Sequence, residues 1–150
     1  MVCTFFGHRD AVENLFPLIK TAVVDLIKNQ NVDMFYVGNN GGFDRMVLKV
    51  LEEVYEDYPN IDYAVVLAYL PTTTDPLRHK DYKKTIYPKG LEHTPPKFAI
   101  SKRNRWMVDK SDFVIAYVKR GFGGAEQFMS LAERKGKRII NLTTIKNQLD

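Results

Sequence analysis

The spacing of apolar residues changes repeatedly along this chain, and that alternation constrains its fold more than any other feature. Val2-Cys3-Thr4-Phe5-Phe6 is a short β-branched and aromatic run stopped by Gly7, the pattern of a buried strand. From Val12 to Lys28 the spacing becomes helical, with Leu15, Phe16, Ile19, Val23, Leu26 and Ile27 at three- and four-residue steps on one face. Pro17 falls close to the first turn, where its missing N–H does least harm. Met34 to Val37 is a second strand closed by Gly38-Asn39-Asn40-Gly41-Gly42. Phe43, Met46, Val47, Val50, Leu51 and Val54 then mark a second helix ending near Tyr58-Pro59. Tyr63 to Tyr69 is apolar almost throughout, as in a strand covered on both faces. Residues 71–97 read as a long loop, a flap with one helical turn, since connections of that length in a compact domain are usually functional or poorly ordered. Beyond it the spacing predicts a helix from Phe98 to Lys110 and a strand from Phe113 to Val118. A glycine loop, Gly121-Phe122-Gly123-Gly124, a helix from Ala125 to Lys135 and a strand from Arg138 to Leu142 complete the chain.

Strands alternating with helices imply an α/β sandwich around a mostly parallel sheet. The 150 residues, 45% hydrophobic and 27% charged, fit one domain spanning 1–150. No window approaches the roughly 18 apolar residues of a membrane span, and the start lacks the basic region and apolar stretch of a signal peptide. A cytoplasmic protein with no membrane partner is therefore expected. The single cysteine, Cys3, excludes a disulfide scaffold and reads as a buried, inert thiol. No His/Cys/Asp/Glu cluster has metal-ligand spacing, so neither a metal nor a definite cofactor is implied.

In a parallel sheet the C-terminal strand ends share one edge, where ligands bind beside the point at which strand order reverses. Three turns gather there. Gly7, His8 and Arg9 follow the first strand; Gly38, Asn39, Gly42 and Asp44 follow the second; Gly121, Gly123, Gly124 and Ala125 follow the fourth. Each leads into a helix N-terminus, whose unpaired N–H groups and dipole favour a phosphate. Arg9, Arg103 and Arg105 supply positive charge. His8 can serve as a general acid or base, or simply bond the neighbouring loop. Asp44 can favour the second helix electrostatically or accept from a ribose, a role Asn39 could also take. The glycine loop completes neither the dinucleotide G-x-G-x-x-G pattern nor the phosphate loop ending in Gly-Lys-Ser/Thr, which argues against a triphosphate-hydrolysing enzyme.

The net charge of +4 conceals two opposed halves. Residues 1–75 carry 5 Lys+Arg against 11 Asp+Glu, whereas residues 76–150 carry 17 against 7. The basic half holds Arg103, the glycine loop and a stretch around Arg78 to Lys84 placed to close over a ligand, so an anionic partner is expected.

Phe6-Gly7-His8-Arg9, Gly41-Gly42-Phe43-Asp44, the block Arg103-Asn104-Arg105-Trp106-Met107 and Gly123-Gly124-Ala125 together resemble the SLOG superfamily. That group unites the Smf/DprA DNA-processing proteins with the Lonely Guy (LOG) phosphoribohydrolases, and the chain looks closest to its YpsA-like branch. The resemblance implies a Rossmann-like three-layer sandwich with a five-stranded sheet of order 3-2-1-4-5, and a pocket for a nucleotide or nucleotide-derived ligand between the first and fourth strands. It also implies two alternatives, a LOG-type hydrolase of the N-glycosidic bond of nucleoside monophosphates and a single-stranded nucleic acid binder. A homo-oligomer is compatible with either. For the hydrolase, Arg103 matches the LOG arginine, but Asn104 stands at its lysine and Gln127 at its glutamate. An amide cannot ionise, so Glu126, one residue away, is the catalytic candidate beside Arg103. For nucleic acid, Tyr82, Tyr87, Phe98 and Trp106 among the basic residues would supply stacking.

Overall fold

The computed structural model describes residues 1–70 and 84–149. Strand β1 (Val2–Gly7) leads through a turn into helix α1 (Phe16–Gln30), and β2 (Met34–Val37) into α2 (Gly42–Asp57). After β3 (Asp62–Val66) come β4 (Thr85–Ile86), a 3-10 turn (Leu91–His93), α3 (Pro96–Lys110) and β5 (Phe113–Tyr117). Helix α4 (Gly124–Arg134), β6 (Arg138–Asn141) and α5 (Leu142–Leu149) follow. Among the described residues the strands form a six-stranded sheet of order β4-β3-β2-β1-β5-β6, in which each neighbouring pair is parallel. The expected five strands in order 3-2-1-4-5 are thus corrected. Thr85 and Ile86 add a strand outside β3, pairing with Val65 and Val66. Two residues carry too little pattern to announce a strand.

Alternation along β1 and β5 explains the layering. Cys3, Phe5, Phe113, Ile115 and Tyr117 pack with Ile19 and Val23 of α1, Phe43 and Val47 of α2, and Leu142 of α5. Phe6, Val114 and Ala116 face the other way, onto Met107 and Val108 of α3 and Phe128 and Ala132 of α4. With both faces covered, β5 is buried at all five positions, which is why such strands read as unbroken apolar runs. Cys3 is fully buried, and burial drives its thiol pKa far up, so it is inert as expected.

Several boundaries differ from expectation. Helix α1 begins at Phe16 rather than Val12, because Pro17 is tolerated only at a helix start. The third strand stops at Val66. The expected loop 71–97 is ordered over 84–97, which hold β4, the 3-10 turn and the start of α3. Its remainder, with Arg78, His79, Lys80, Tyr82 and Lys83, lies outside the described residues. Among the described residues no helix is long and apolar enough to cross a membrane, and no cluster of His, Cys, Asp or Glu could hold a metal.

Candidate functional site

Between β2-β1 and β5 the chain reverses its direction of travel across the sheet, and a cleft of about 360 Å³ opens above the β1 end. Its walls come from four elements. Phe5, Phe6, Gly7 and Arg9 belong to β1 and its turn, Asn40 and Asp44 to the start of α2. Lys97, Ile100, Ser101, Arg103, Asn104 and Met107 line it from α3, and Gly124, Ala125, Gln127 and Phe128 from α4.

Arg103 is 2% exposed, an unusual burial for a guanidinium. Its Nε donates to Asn104 Oδ1 at 2.8 Å, Nη1 to the Val66 carbonyl at 3.0 Å and to Asn39 Oδ1 at 3.4 Å, and Nη2 to Asn40 Oδ1 at 2.8 Å. These four acceptors are neutral. They satisfy most of its five N–H groups, and the charge that they leave is balanced in part by the neighbouring Asp44 carboxylate. The side chain also joins α3 to the ends of β2 and β3, which makes it a structural tie as well.

Asp44 sits beside it. Its Oδ2 accepts the Asn40 N–H at 2.9 Å. Burial in the cleft wall pushes its carboxyl up to about 6, against the opposing pull of that N–H and of Arg103, Arg9 and Arg45. Gly38 lets these groups converge, since a Cβ there would lie 2.9 Å from Asp44 Oδ2 and 3.0 Å from Arg103 Nη1. Gly7 likewise admits the Phe43 ring, 2.2 Å from where its Cβ would be, and Gly42 admits the Ala11 carbonyl at 2.3 Å.

Helix α4 starts without a side-chain cap. Gly123 precedes it at φ 101° and ψ 174°, a conformation essentially confined to glycine. A Cβ on Gly121, Gly123 or Gly124 would meet nothing within 4 Å, so no protein packing accounts for these glycines. The N–H groups at the start of α4 border the cleft, with Gly124 and Ala125 in its lining.

Other expected site residues are placed differently. His8 is 3% exposed, and its Nε2 accepts the Lys119 N–H at 3.0 Å, the loop-bonding role. Burial and the nearby Arg120 hold its pKa below the ordinary value, in keeping with an unprotonated acceptor. Glu126 accepts from Ser130 Oγ at 2.5 Å and is outside the cleft lining, whereas Gln127 is in it. Asn39 is committed to Arg103, and Arg105 is exposed outside the lining. Trp106 is half-buried, its ring 5.1 Å from that of Tyr36. Tyr87 packs against the cores, while Phe98 is 54% exposed.

Asn40, Lys97, Ser101 and Gln127 were not among the expected ligand residues. Lys97, Ser101 and Asn104 stand at helical steps of four and three, so a polar face of α3 was the available signal.

No protein family and no curated protein matches the chain. Among solved structures, DNA processing protein A (DprA) from Streptococcus pneumoniae shares its fold, with a TM-score of 0.63 at 16% identity. The match covers 91% of this chain and 48% of that one, so this chain spans about half the neighbour's length.

Proposed function

We propose that the cleft binds a nucleotide or nucleotide-derived phosphorylated ligand, as in the SLOG proteins that the chain resembles. The phosphate would rest on the N–H groups of Gly124 and Ala125, with Arg9, Lys97 and Arg103 as countercharges. The ribose would lie toward the Asp44 carboxylate. One observation carries this reading: an uncapped helix start, behind glycines that no packing requires, opens into the same cleft as a buried arginine bound to neutral acceptors.

The shared fold with DNA processing protein A favours a second reading, in which the cleft receives one nucleotide of a single DNA strand. The hydrolase alternative has less support. Asp44 is the one carboxylate residue in the cleft lining among the described residues, and Gln127 occupies the α4 wall where the resemblance to LOG proteins would call for a glutamate.

Calorimetric titration with AMP tests the main reading. Arg103→Ala is a poor control because it unties three segments; Arg9→Ala and Lys97→Ala are preferable, since both side chains are exposed. Each variant should weaken AMP about ten-fold while leaving the melting temperature in place, a loss of about 1.4 kcal/mol. AMP at 100 times Kd should stabilise the wild type by about 2.7 kcal/mol. No heat and no thermal shift with AMP or with single-stranded DNA would remove both binding readings.

A further inference from the structure

We propose that Phe122 is the stacking platform for the nucleobase of the ligand, an inference that rests on the phosphate reading above. Phe122 is 70% exposed, in contrast to the aromatics of β1 and β5, which are buried. It stands between Gly121 and Gly123, two residues before the start of α4, so a base stacked on it would belong to a nucleotide whose phosphate reaches that helix start. Soluble chains expose single apolar residues without consequence, so exposure alone decides nothing. What separates Phe122 is its backing. The Arg120 guanidinium lies over the ring, 5.7 Å from its centroid, a cation–π distance.

That guanidinium is itself anchored, by a residue outside the cleft lining. Its Nη1 and Nη2 donate to the two carboxylate oxygens of Asp10 at 3.1 and 3.0 Å, a bidentate pair with the turn after β1. Arg120 thus covers one face of the ring and leaves the other to a flat partner. The Nε of Arg120 is buried and has no hydrogen-bond partner among the described residues. The shared chemistry is a nucleobase, carried either by a mononucleotide or by a strand.

Three probes separate the sources: ribose 5-phosphate, AMP and a single-stranded oligodeoxyadenylate, each titrated into the wild type, Phe122→Ala and Phe122→Trp. AMP should bind the wild type about ten-fold more tightly than ribose 5-phosphate, within the usual range for base–aromatic stacking. Phe122→Ala should erase that advantage without changing ribose 5-phosphate affinity. Phe122→Trp should keep it, with emission quenched by AMP but not by ribose 5-phosphate. If the advantage and its loss appear with the oligonucleotide and not with AMP, the platform stands and the base comes from a strand. AMP affinity unchanged by Phe122→Ala, with ribose 5-phosphate still bound, would overturn the platform alone. Failure of all three probes to bind would overturn the phosphate reading with it.

Discussion

Two titratable side chains near the β1 turn respond oppositely to burial. The Asp44 carboxyl is raised to about 6 chiefly by loss of water, so the folded chain holds a proton there more tightly than the unfolded chain does. Its contribution to stability is full below about pH 4 and is lost as pH rises through about 6. An asparagine keeps an acceptor for the Asn40 N–H and carries no charge. Asp44→Asn should therefore exceed the wild type at pH 7 by an amount on the order of 2 kcal/mol, with the two converging near pH 4. Urea midpoints at pH 4, 5.5 and 7 check this, and a gap independent of pH would refute it. His8 works in the other direction. Its pKa is depressed, first by burial, so its contribution is present above 6.5 and lost as pH falls through the folded value. Acid loss that persists in Asp44→Asn and vanishes on adding His8→Gln belongs to His8. At this scale the candidate site was legible in part. Arg103 was expected as an anion ligand, but its tie to Asn39, Asn40 and the Val66 carbonyl was not, because those acceptors lie 37 to 64 positions away and meet it only after the sheet has formed.

The two glycines that open α2 and α4 have nearly the same backbone, φ 101° and ψ −177° at Gly41 and φ 101° and ψ 174° at Gly123. Their surroundings differ. A Cβ on Gly41 would lie 2.5 Å from Arg9 Cα, whereas one on Gly123 meets nothing within 4 Å. Gly123→Ala should thus cost conformational strain alone, about 1–3 kcal/mol, and Gly41→Ala should cost more because the β1 turn must also move. The ligand effect is reversed in emphasis. Gly123→Ala should weaken AMP at least ten-fold, by placing a methyl group in the open cradle, at a stability that still leaves the protein folded. Chemical denaturation and titration on the same preparations check both; equal stability losses would show that packing around Gly41 is not decisive. Elements were legible where their patterns were long. Helix α2 and strand β5 follow from spacing, since α2 buries Phe43, Val47, Val50, Leu51 and Val54, and β5 buries every residue. Strand β4 has two residues, and α5 follows β6 without a break, so neither offered a periodic run to read.

Across the whole molecule, the opposed charges of the two halves take on a spatial meaning. Strands β1 to β3 come from the acidic half, β5 and β6 from the basic half, and the cleft lies on the seam between β1 and β5. Its lining draws Arg9 from the first half and Lys97 and Arg103 from the second. Most of the basic residues lie elsewhere, and several are already paired: Lys84 with Asp62, Lys119 with Glu13, Arg120 with Asp10 and Lys135 with Asp109. A large excess of Lys and Arg in the sequence therefore does not translate into an equally large free anion surface. The seam itself was foreseeable from alternating elements and the edge rule, as were Arg9 and Arg103, while the presence of Lys97 in the lining in place of Arg105 depended on how α3 is rotated. That division sets the expected salt response. Counterion release scales with the phosphates neutralised, at about 0.7 per contact for a single strand. A strand held by the cleft alone, with three lining cations, should show a slope of log affinity against log salt of about −2. A slope steeper than about −4 would mean that unpaired cations beyond the cleft also track the backbone. Arg9→Ala should then remove about one contact's share of the slope, and binding that is insensitive to salt in both proteins would exclude a phosphate-led interaction.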